Sequence, residues 1–155
     1  MSARMHATPP LSALVASVAP APDLVVKCAT IALMQARIVA EELRGAAIRA
    51  LPPSERAVAA SLAKRIERRA IFDERFLADL EAFLAAVDAR IQAGSHVGWQ
   101  ADENHNRGGY ETVSFDQDAV GLLAVSRELD LLREAAVATL SASWALREVA
   151  ALTGS

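Results

Sequence analysis

Residues 94–115 read GSHVGWQADENHNRGGYETVSF, and this stretch decides the fold because it interrupts two long regions of helical character. It contains two of the three histidines, one of the two tryptophans, the single tyrosine and four of the seven glycines of the chain. The flanking residues 23–93 and 116–152 are rich in alanine and carry charged side chains throughout, as is typical of helices. We therefore expect helices on both sides of one segment of different character, and a functional site is sought first in that segment.

Within this segment, apolar and polar residues alternate along two short runs, in the manner of β-strands. Val97 and Trp99 lie on one side of the first run, and Val113 and Phe115 lie on one face of the second. The residues between the two runs are polar and end in a pair of glycines. The pattern predicts either a polar loop or a small β-hairpin at about residues 94–115.

Capping residues and prolines outside this segment predict three long helices. The first covers residues 23–51, because Asp23 is a favourable N-cap and two prolines follow the helix. The second covers residues 54–93, from a serine cap to a glycine stop, and the third covers residues 116–152 from an aspartate cap. An alternative start of the third helix is Ser114, in a capping box with Gln117. The apolar faces of the first and third helices are wider than one neighbouring helix requires, so both are expected to be covered on more than one side.

The predicted fold class is all-α, an elongated antiparallel bundle of these three long helices with a short N-terminal helix. Residues 1–22 are expected to form an N-terminal arm, and residues 23–155 a single helical-bundle domain. In the arm, Thr8 and Pro9 predict a short capped helix. The alternative is a targeting segment, because an apolar stretch precedes a small-residue motif at residues 19–21.

Composition restricts the classes of function. The formal net charge of −3 and the pI near 5.6 argue against a general nucleic-acid-binding protein. Aromatic residues make up 5% of the chain, too few for a surface on which single-stranded bases stack. No apolar run reaches the length of about 18 residues that a membrane span needs. We therefore expect a cytoplasmic protein with no nucleic-acid partner and no membrane span.

Arg69 and Asp73 fall within the apolar stripe of the second predicted helix, four residues apart and on the same face. Charges at such positions are costly unless they are paired. The favoured interpretation is a buried polar pair that sets helix register or oligomeric state, as polar core residues do in coiled coils. Two alternatives remain: the helix leaves the bundle there and exposes both side chains, or the pair belongs to a ligand or catalytic site.

A basic cluster on the same predicted helix consists of Lys64, Arg65, Arg68 and Arg69. Its functional interpretation is contact with phosphate groups, which would suit a DNA-associated regulator. Acidic residues interspersed through the same region favour a solvated helix face whose charges pair with one another.

Weak candidates for metal ligands lie in the 94–115 segment. His96, Asp102 and His105 are residue types that bind transition metals, but no cysteine pair or His-x-x-x-His spacing sets a coordination geometry. Asp102, Asn104 and Asn106 match the first three ligand positions of a calcium loop, and the match fails at the later glycine and glutamate positions. We therefore predict no metal and no cofactor.

The motifs that identify common enzymes do not occur in this sequence. It has no phosphate-binding glycine loop, no dinucleotide-binding glycine motif, no Gly-x-Ser-x-Gly motif and no Glu-x-x-His pair of a di-iron bundle. Catalytic residues are therefore not assigned, and the protein is predicted not to be an enzyme.

The favoured function is a non-enzymatic helical interaction or assembly protein, structural or adaptor in role, that acts through self-association or a partner helix. Wide apolar faces favour this hypothesis. The predicted partner-binding residues are Leu80 and Leu84 on the second helix, and Trp99 and Tyr110 in the segment between helices, since aromatic residues dominate binding hot spots. The alternative is a small-molecule or metal-binding bundle that uses the 94–115 segment.

The stretch from residues 99–104 (WQADEN) to residues 113–116 (VSFD), together with the helix that follows, resembles the C-terminal region of some bacteriophage tail-associated proteins. The shared motif is generic, so it transfers no site residue to this chain. The resemblance implies an assembly role, in agreement with the favoured function.

Overall fold

A computed structural model describes residues 22–101 and 108–153. These residues are mostly helical, as predicted, and they form four α-helices, one 3₁₀ helix and a two-stranded antiparallel hairpin. The elements in chain order are α1 (Pro22–Leu43), the 3₁₀ helix (Ala46–Ala50), α2 (Pro53–Glu67), α3 (Glu74–Ala93), β1 (Ser95–Ala101), β2 (Gly109–Phe115) and α4 (Gln117–Leu152). The short helix predicted near Thr8 lies outside the described residues.

The first predicted helix ends earlier than expected. α1 stops at Leu43, and the Gly45 amide donates to the carbonyl three residues before it, as in a tighter turn. The 3₁₀ helix then places Ile48 in the core, and Leu51 follows it there. The prediction of one helix over 23–51 is therefore wrong at its end, because glycine is a weak helix former and the tighter turn buries two more apolar side chains.

The second predicted helix is broken into α2 and α3, so the prediction of one continuous helix over 54–93 is wrong. Arg69, just after α2, has a φ of 58°, in the left-handed region. Its amide donates to the Ile66 carbonyl at 3.0 Å. The next amide, of Ala70, donates to the Arg65 carbonyl at 2.9 Å. This is the Schellman ending of a helix, with arginine at the position where glycine is usual.

Asp73 begins α3 instead of lying inside a helix. Its carboxylate accepts a hydrogen bond from the Phe76 backbone N–H at 2.6 Å, which is the contact of an N-cap. Arg69 and Asp73 are both exposed, so the predicted buried polar pair is wrong. The break turns both charges toward solvent and places Ile71 in the core in their stead, which removes the cost of burying them.

The hydrophobic core lies between the four helices. α4 packs against α1 and α3, and α2 packs against the same two helices. Each helix therefore has two helical neighbours, which accounts for much of the apolar width seen in the sequence. The largest fully buried side chains are Val39, Leu62, Ile71, Phe76, Leu80, Phe83, Val87, Leu122, Val125, Leu129 and Leu132.

Polar contacts at the edges of the core hold α1 and α3 against α4. From α1, the Gln35 amide Nε2 donates to the Glu128 backbone carbonyl at 3.0 Å and to its carboxylate at 2.6 Å. From α4, the Ser126 hydroxyl donates to the Asp88 carboxylate at 2.6 Å. Both contacts lie between neighbouring helices and fix how those helices align.

α4 matches its prediction. It begins after the N-cap Asp116 and continues for 36 residues. Neither α4 nor another helix within residues 22–101 and 108–153 combines the length and apolar character needed to cross a bilayer.

The hairpin between α3 and α4 confirms the second of the two structures predicted for residues 94–115. β1 and β2 pair antiparallel, from Ser95 opposite Phe115 to Ala101 opposite Gly109. The residues between the strands, 102–107, lie outside the described part of the chain.

Candidate interaction surfaces

One face of the hairpin carries apolar side chains that are exposed. Val97 lies opposite Val113 in the strand register, and Trp99 and Phe115 occupy alternate positions on the same face. All four side chains are exposed, and we call this set the hairpin face. A hairpin of two strands is at best marginally stable by itself, so a partner that covered this face would stabilise it.

Trp99 and Tyr110, the predicted partner anchors, are exposed at 67% and 54% of their surface, but they lie on opposite faces. Tyr110 is opposite Gln100, one position along from Trp99, and the strand pleat directs successive side chains to opposite sides. A Cβ built at Gly109 would lie 2.8 Å from Nε1 of the Trp99 indole, so this ring covers the glycine backbone. A flat partner on the hairpin face would contact Trp99 and miss Tyr110.

Asp116 connects the hairpin to the helices. Its amide donates to the Gly94 carbonyl at 2.8 Å, and its carboxylate accepts from the Ala119 amide at 2.7 Å. Arg90 at the end of α3 places Nη1 3.5 Å from the same carboxylate. The Ala119 hydrogen bond lowers the pKa of the Asp116 carboxyl, desolvation opposes this shift, and the positive charge of Arg90 adds to it. The ionised carboxylate therefore holds the hairpin base against both helices.

A second apolar surface runs along α1. Leu24, Ile31 and Ile38 recur at intervals of seven residues, Met34 lies beside them on the helix, and all four are exposed. Residues seven apart lie on the same face of a helix, so these side chains form one stripe, in which Lys27 and Glu41 occupy the other positions that a coiled-coil seam would need to be apolar. Ile31 lines a shallow groove together with Leu131 of α4, so the apolar surface continues onto the neighbouring helix. We call these five apolar residues the outer stripe.

Leu80 and Leu84 do not lie on an interaction surface. They are 0% and 9% exposed and belong to the core cluster between the helices. Their prediction as partner-binding residues is wrong, because the hydrophobic spacing of α3 marks its contact with α2 and α4 within the same chain. Truncation of either side chain would destabilise the fold by about 2–5 kcal/mol and would not report on a partner.

The basic cluster predicted from the sequence is divided by the break between α2 and α3. Arg69 lies in a groove beside α1, away from the other three members. Those three line a shallow cleft together with two residues from the start of α3. The charged side chains of this cleft are Lys64, Arg65, Arg68, Asp73 and Arg75.

Part of the charge in this cleft is already paired. Nη2 of Arg65 lies 2.6 Å from Oδ2 of Asp79, and the Arg65 guanidinium is 5.6 Å from the centre of the Phe76 ring. Asp73, which lines the cleft, uses its carboxylate to cap α3. The arrangement agrees with the interpretation of a helix face whose charges pair with one another, and Arg75 is the member that sequence analysis missed.

Of the three weak metal candidates, His96 is described and lies exposed on β1, opposite Ser114. Asp102 and His105 lie outside the described residues. Over residues 22–101 and 108–153, no three His, Cys, Asp or Glu side chains are grouped so as to hold a metal ion.

No protein-family model, curated protein sequence or solved structure matches this chain.

Proposed function

We propose that the protein is a non-enzymatic helical assembly protein that associates with a second copy through exposed apolar surfaces of its helices and hairpin. The observation that carries this proposal is the outer stripe, in which large apolar side chains are exposed along one face of α1 and onto α4. Apolar side chains gathered on one surface mark interaction sites, whereas isolated ones need no explanation. A partner helix of another protein is the alternative occupant.

The size of the outer stripe indicates how strong the association is. Complete burial of one Leu, Ile or Met side chain contributes about 1.5–3 kcal/mol, and these side chains are already about half buried in the chain itself. Five side chains at roughly 1 kcal/mol each supply about 5 kcal/mol from one copy and about 10 kcal/mol from two facing stripes. This total lies within the entropic cost of association, about 4–15 kcal/mol, and leaves little surplus. A stable assembly therefore needs a second contact surface, and the hairpin provides one.

The interior of the described region agrees with an interaction role. Its single buried polar side chain is Thr139, whose hydroxyl donates to the Ala135 carbonyl one turn earlier in α4. The hydrogen bond from the Ala119 amide lowers the pKa of Asp116, which caps a helix. The hydrogen bond to Asp130 raises the pKa of Arg133, and the two residues form a surface ion pair. These contacts serve the fold, whereas catalytic groups need pKa values adjusted for proton transfer.

The experiment is to replace Ile31 and Met34 together with glutamate and to measure the solution mass by sedimentation velocity over a range of concentrations. We expect the double variant to be monomeric at concentrations where the unmodified protein associates. Val26→Glu is the matched control, because Val26 and Met34 are both 64% exposed and Val26 lies outside the stripe. Circular dichroism checks that the helices are retained.

Three results would argue against the proposal. One is an unmodified protein that stays monomeric at all concentrations and captures no partner. Another is a double variant that associates as the unmodified protein does. The third is an equal loss of association in the Val26→Glu control, which would indicate a general effect of added negative charge.

The alternative function, binding of a small molecule or metal by the 94–115 segment, depends on Asp102 and His105, which lie outside the described residues. It stays a hypothesis, and a rise in melting temperature on addition of zinc or calcium would favour it.

A further inference from the structure

Among residues 22–101 and 108–153, no strand other than β2 pairs with β1, so β1 has one open edge there. Its sequence, Ser95–Ala101, contains no charged residue and no proline, although proteins commonly protect exposed edges with lysine, proline or a bulge. β1 packs principally against β2, and its side chains beyond Ser95 are exposed. Its outer backbone groups therefore have room for hydrogen bonds to another chain.

The register shows which backbone groups point outward. The Asp116 amide donates to the Gly94 carbonyl at the base of the hairpin, so this pair is hydrogen-bonded. Hydrogen-bonded and non-hydrogen-bonded pairs alternate along an antiparallel ladder. Gly98, opposite Thr112, therefore directs its backbone groups toward β2, whereas Val97 and Trp99 direct their N–H and C=O groups toward the open edge.

The outward-pointing backbone groups of β1 can form hydrogen bonds with those of a second copy of β1. If a two-fold axis passes between the two Gly98 residues, Val97 of one copy lies opposite Trp99 of the other. Both of these residues point their backbone groups outward, so they form a hydrogen-bonded pair. Gly98 then lies opposite its own counterpart in a non-hydrogen-bonded pair, where Cα atoms are about 4.5 Å apart. The seven residues of each strand overlap completely.

Charge favours β1 over β2 as the paired edge. Glu111 is the single charged residue in the two strands, and it lies on β2. Pairing of two β2 strands about Thr112 would place Glu111 opposite Val113 of the second copy and bring two carboxylates near each other. Pairing of two β1 strands brings no charges together and places Val97 beside Trp99, a favourable aromatic and β-branched contact.

We propose that β1 of one copy pairs antiparallel with β1 of a second copy about Gly98, so that two hairpins form one four-stranded sheet. This inference rests on the proposed function and identifies the second contact surface that self-association requires. The hairpin faces of both copies then form one continuous apolar surface. Pairing of two edges alone buries less than the roughly 1,200 Å² of a standard interface, so the dimer forms reversibly as protein concentration rises.

The first test is a disulfide across the proposed axis. Gly98→Cys is made in a Cys28→Ser background, since Cys28 is the single native cysteine, and is exposed to oxidised glutathione. A Cβ at position 98 lies 3.2 Å from the Thr112 hydroxyl, so the side chain fits after a small adjustment. The paired Cα atoms are within the range of about 4.4–6.8 Å that a disulfide spans, so we expect a covalent dimer on non-reducing gels.

Ser114→Cys in the same background is the control for this test. Ser114 is exposed on β2, on the same face of the sheet as position 98. Two such cysteines would be separated by the two inner strands, each about 4.8 Å wide, and lie too far apart to pair. Equal cross-linking of both variants would indicate random collision and would overturn the proposal.

The second test removes one outward-pointing amide from each edge. Val97→Pro deletes a donor that the β1 pairing uses, and Val113→Pro deletes the equivalent donor on β2. The two valines lie opposite each other, belong to the same apolar face and are 69% and 59% exposed, so the variants are closely matched. We expect Val97→Pro to weaken association at least tenfold in sedimentation equilibrium and Val113→Pro to leave it unchanged.

The outcomes separate this inference from the proposed function. If Val113→Pro weakens association more than Val97→Pro does, the contact lies at β2. If both variants weaken association equally, the contact involves the hairpin face or requires a folded hairpin. Either result overturns β1 pairing. If neither proline variant nor the cysteine variant has an effect while the Ile31 and Met34 variant dissociates, the proposed function stands and β1 pairing is wrong. A monomer in every experiment would overturn both.

Discussion

Two of the interruptions between helices, at residues 68–73 and at residues 94–116, are built in similar ways. Each ends one helix and begins the next at an aspartate N-cap, Asp73 in the first and Asp116 in the second. The second is rich in glycine and aromatic residues, and the first contains neither glycine nor proline. The comparison teaches that a break can depend on what the helices bury as much as on its own residues.

The physical reason why the helix is interrupted differs between these two segments. At 94–116, the local residues disfavour a helix whatever surrounds them. At 68–73, a continuous helix is locally acceptable, but it would carry Arg69 and Asp73 along an apolar stripe. The break exposes both charges and buries Ile71. The favourable free energy of burying Ile71 exists only when the other helices are present to cover it.

The largest effect is expected at the base of the hairpin, for Gly94→Ala. A Cβ at Gly94 would lie 2.6–2.8 Å from the Asp116 carboxyl group, which would displace it from its cap on α4. We expect a loss of about 2 kcal/mol in the free energy of unfolding, measured by urea denaturation.

Gly121→Ala in α4 is the control for that substitution. Its Cβ would lie 3.5 Å from the Cβ of Ala47, an ordinary contact, so the variant should gain about 0.5–1 kcal/mol from better helix propensity. Similar losses in both variants would show that Gly94 is not specially constrained.

A smaller effect is expected at the first interruption, for Asp73→Ala. The variant loses the hydrogen bond to the Phe76 amide and should destabilise the protein by about 1 kcal/mol in the same measurement. Asp73→Asn, which keeps an acceptor oxygen, should retain most of the stability. If alanine and asparagine behave alike, the cap does not hold the break in place.

The smallest effect is expected from lowering the pH, which protonates the Asp116 carboxylate at the second interruption. The pKa of Asp116 is lowered in the folded protein, so its carboxylate stabilises the fold at pH values above the ordinary carboxyl pKa. This contribution is lost as the pH falls through the lowered pKa, below about 4. The difference in urea midpoint between the unmodified protein and Asp116→Asn should therefore be larger at pH 7 than at pH 3. An unchanged difference would mean that the charge of Asp116 contributes nothing.

Features marked by local chemistry were predictable. The third helix, its aspartate cap and the alternation of apolar residues in both strands followed from capping rules and periodicity. The choice between a polar loop and a hairpin at residues 94–115 did not follow from the sequence. The sequence pattern does not distinguish Leu80 and Leu84 from partner-binding residues, because a hydrophobic stripe looks the same whether another part of the chain or another molecule covers it. Arg75 was missed because it joins the basic cleft only when α2 and α3 meet at an angle that the sequence pattern does not encode.

The sequence by itself determined the helical class, the place of the hairpin and the residues that cap α4, because these depend on contacts within a few residues. Only the tertiary structure decided where α1 and α2 end and which leucines are core. Those outcomes depend on the free energy of burying Ile48, Leu51 and Ile71 against distant helices. Such burial outweighs local helix propensity, which differs by less than about 1 kcal/mol between most residues.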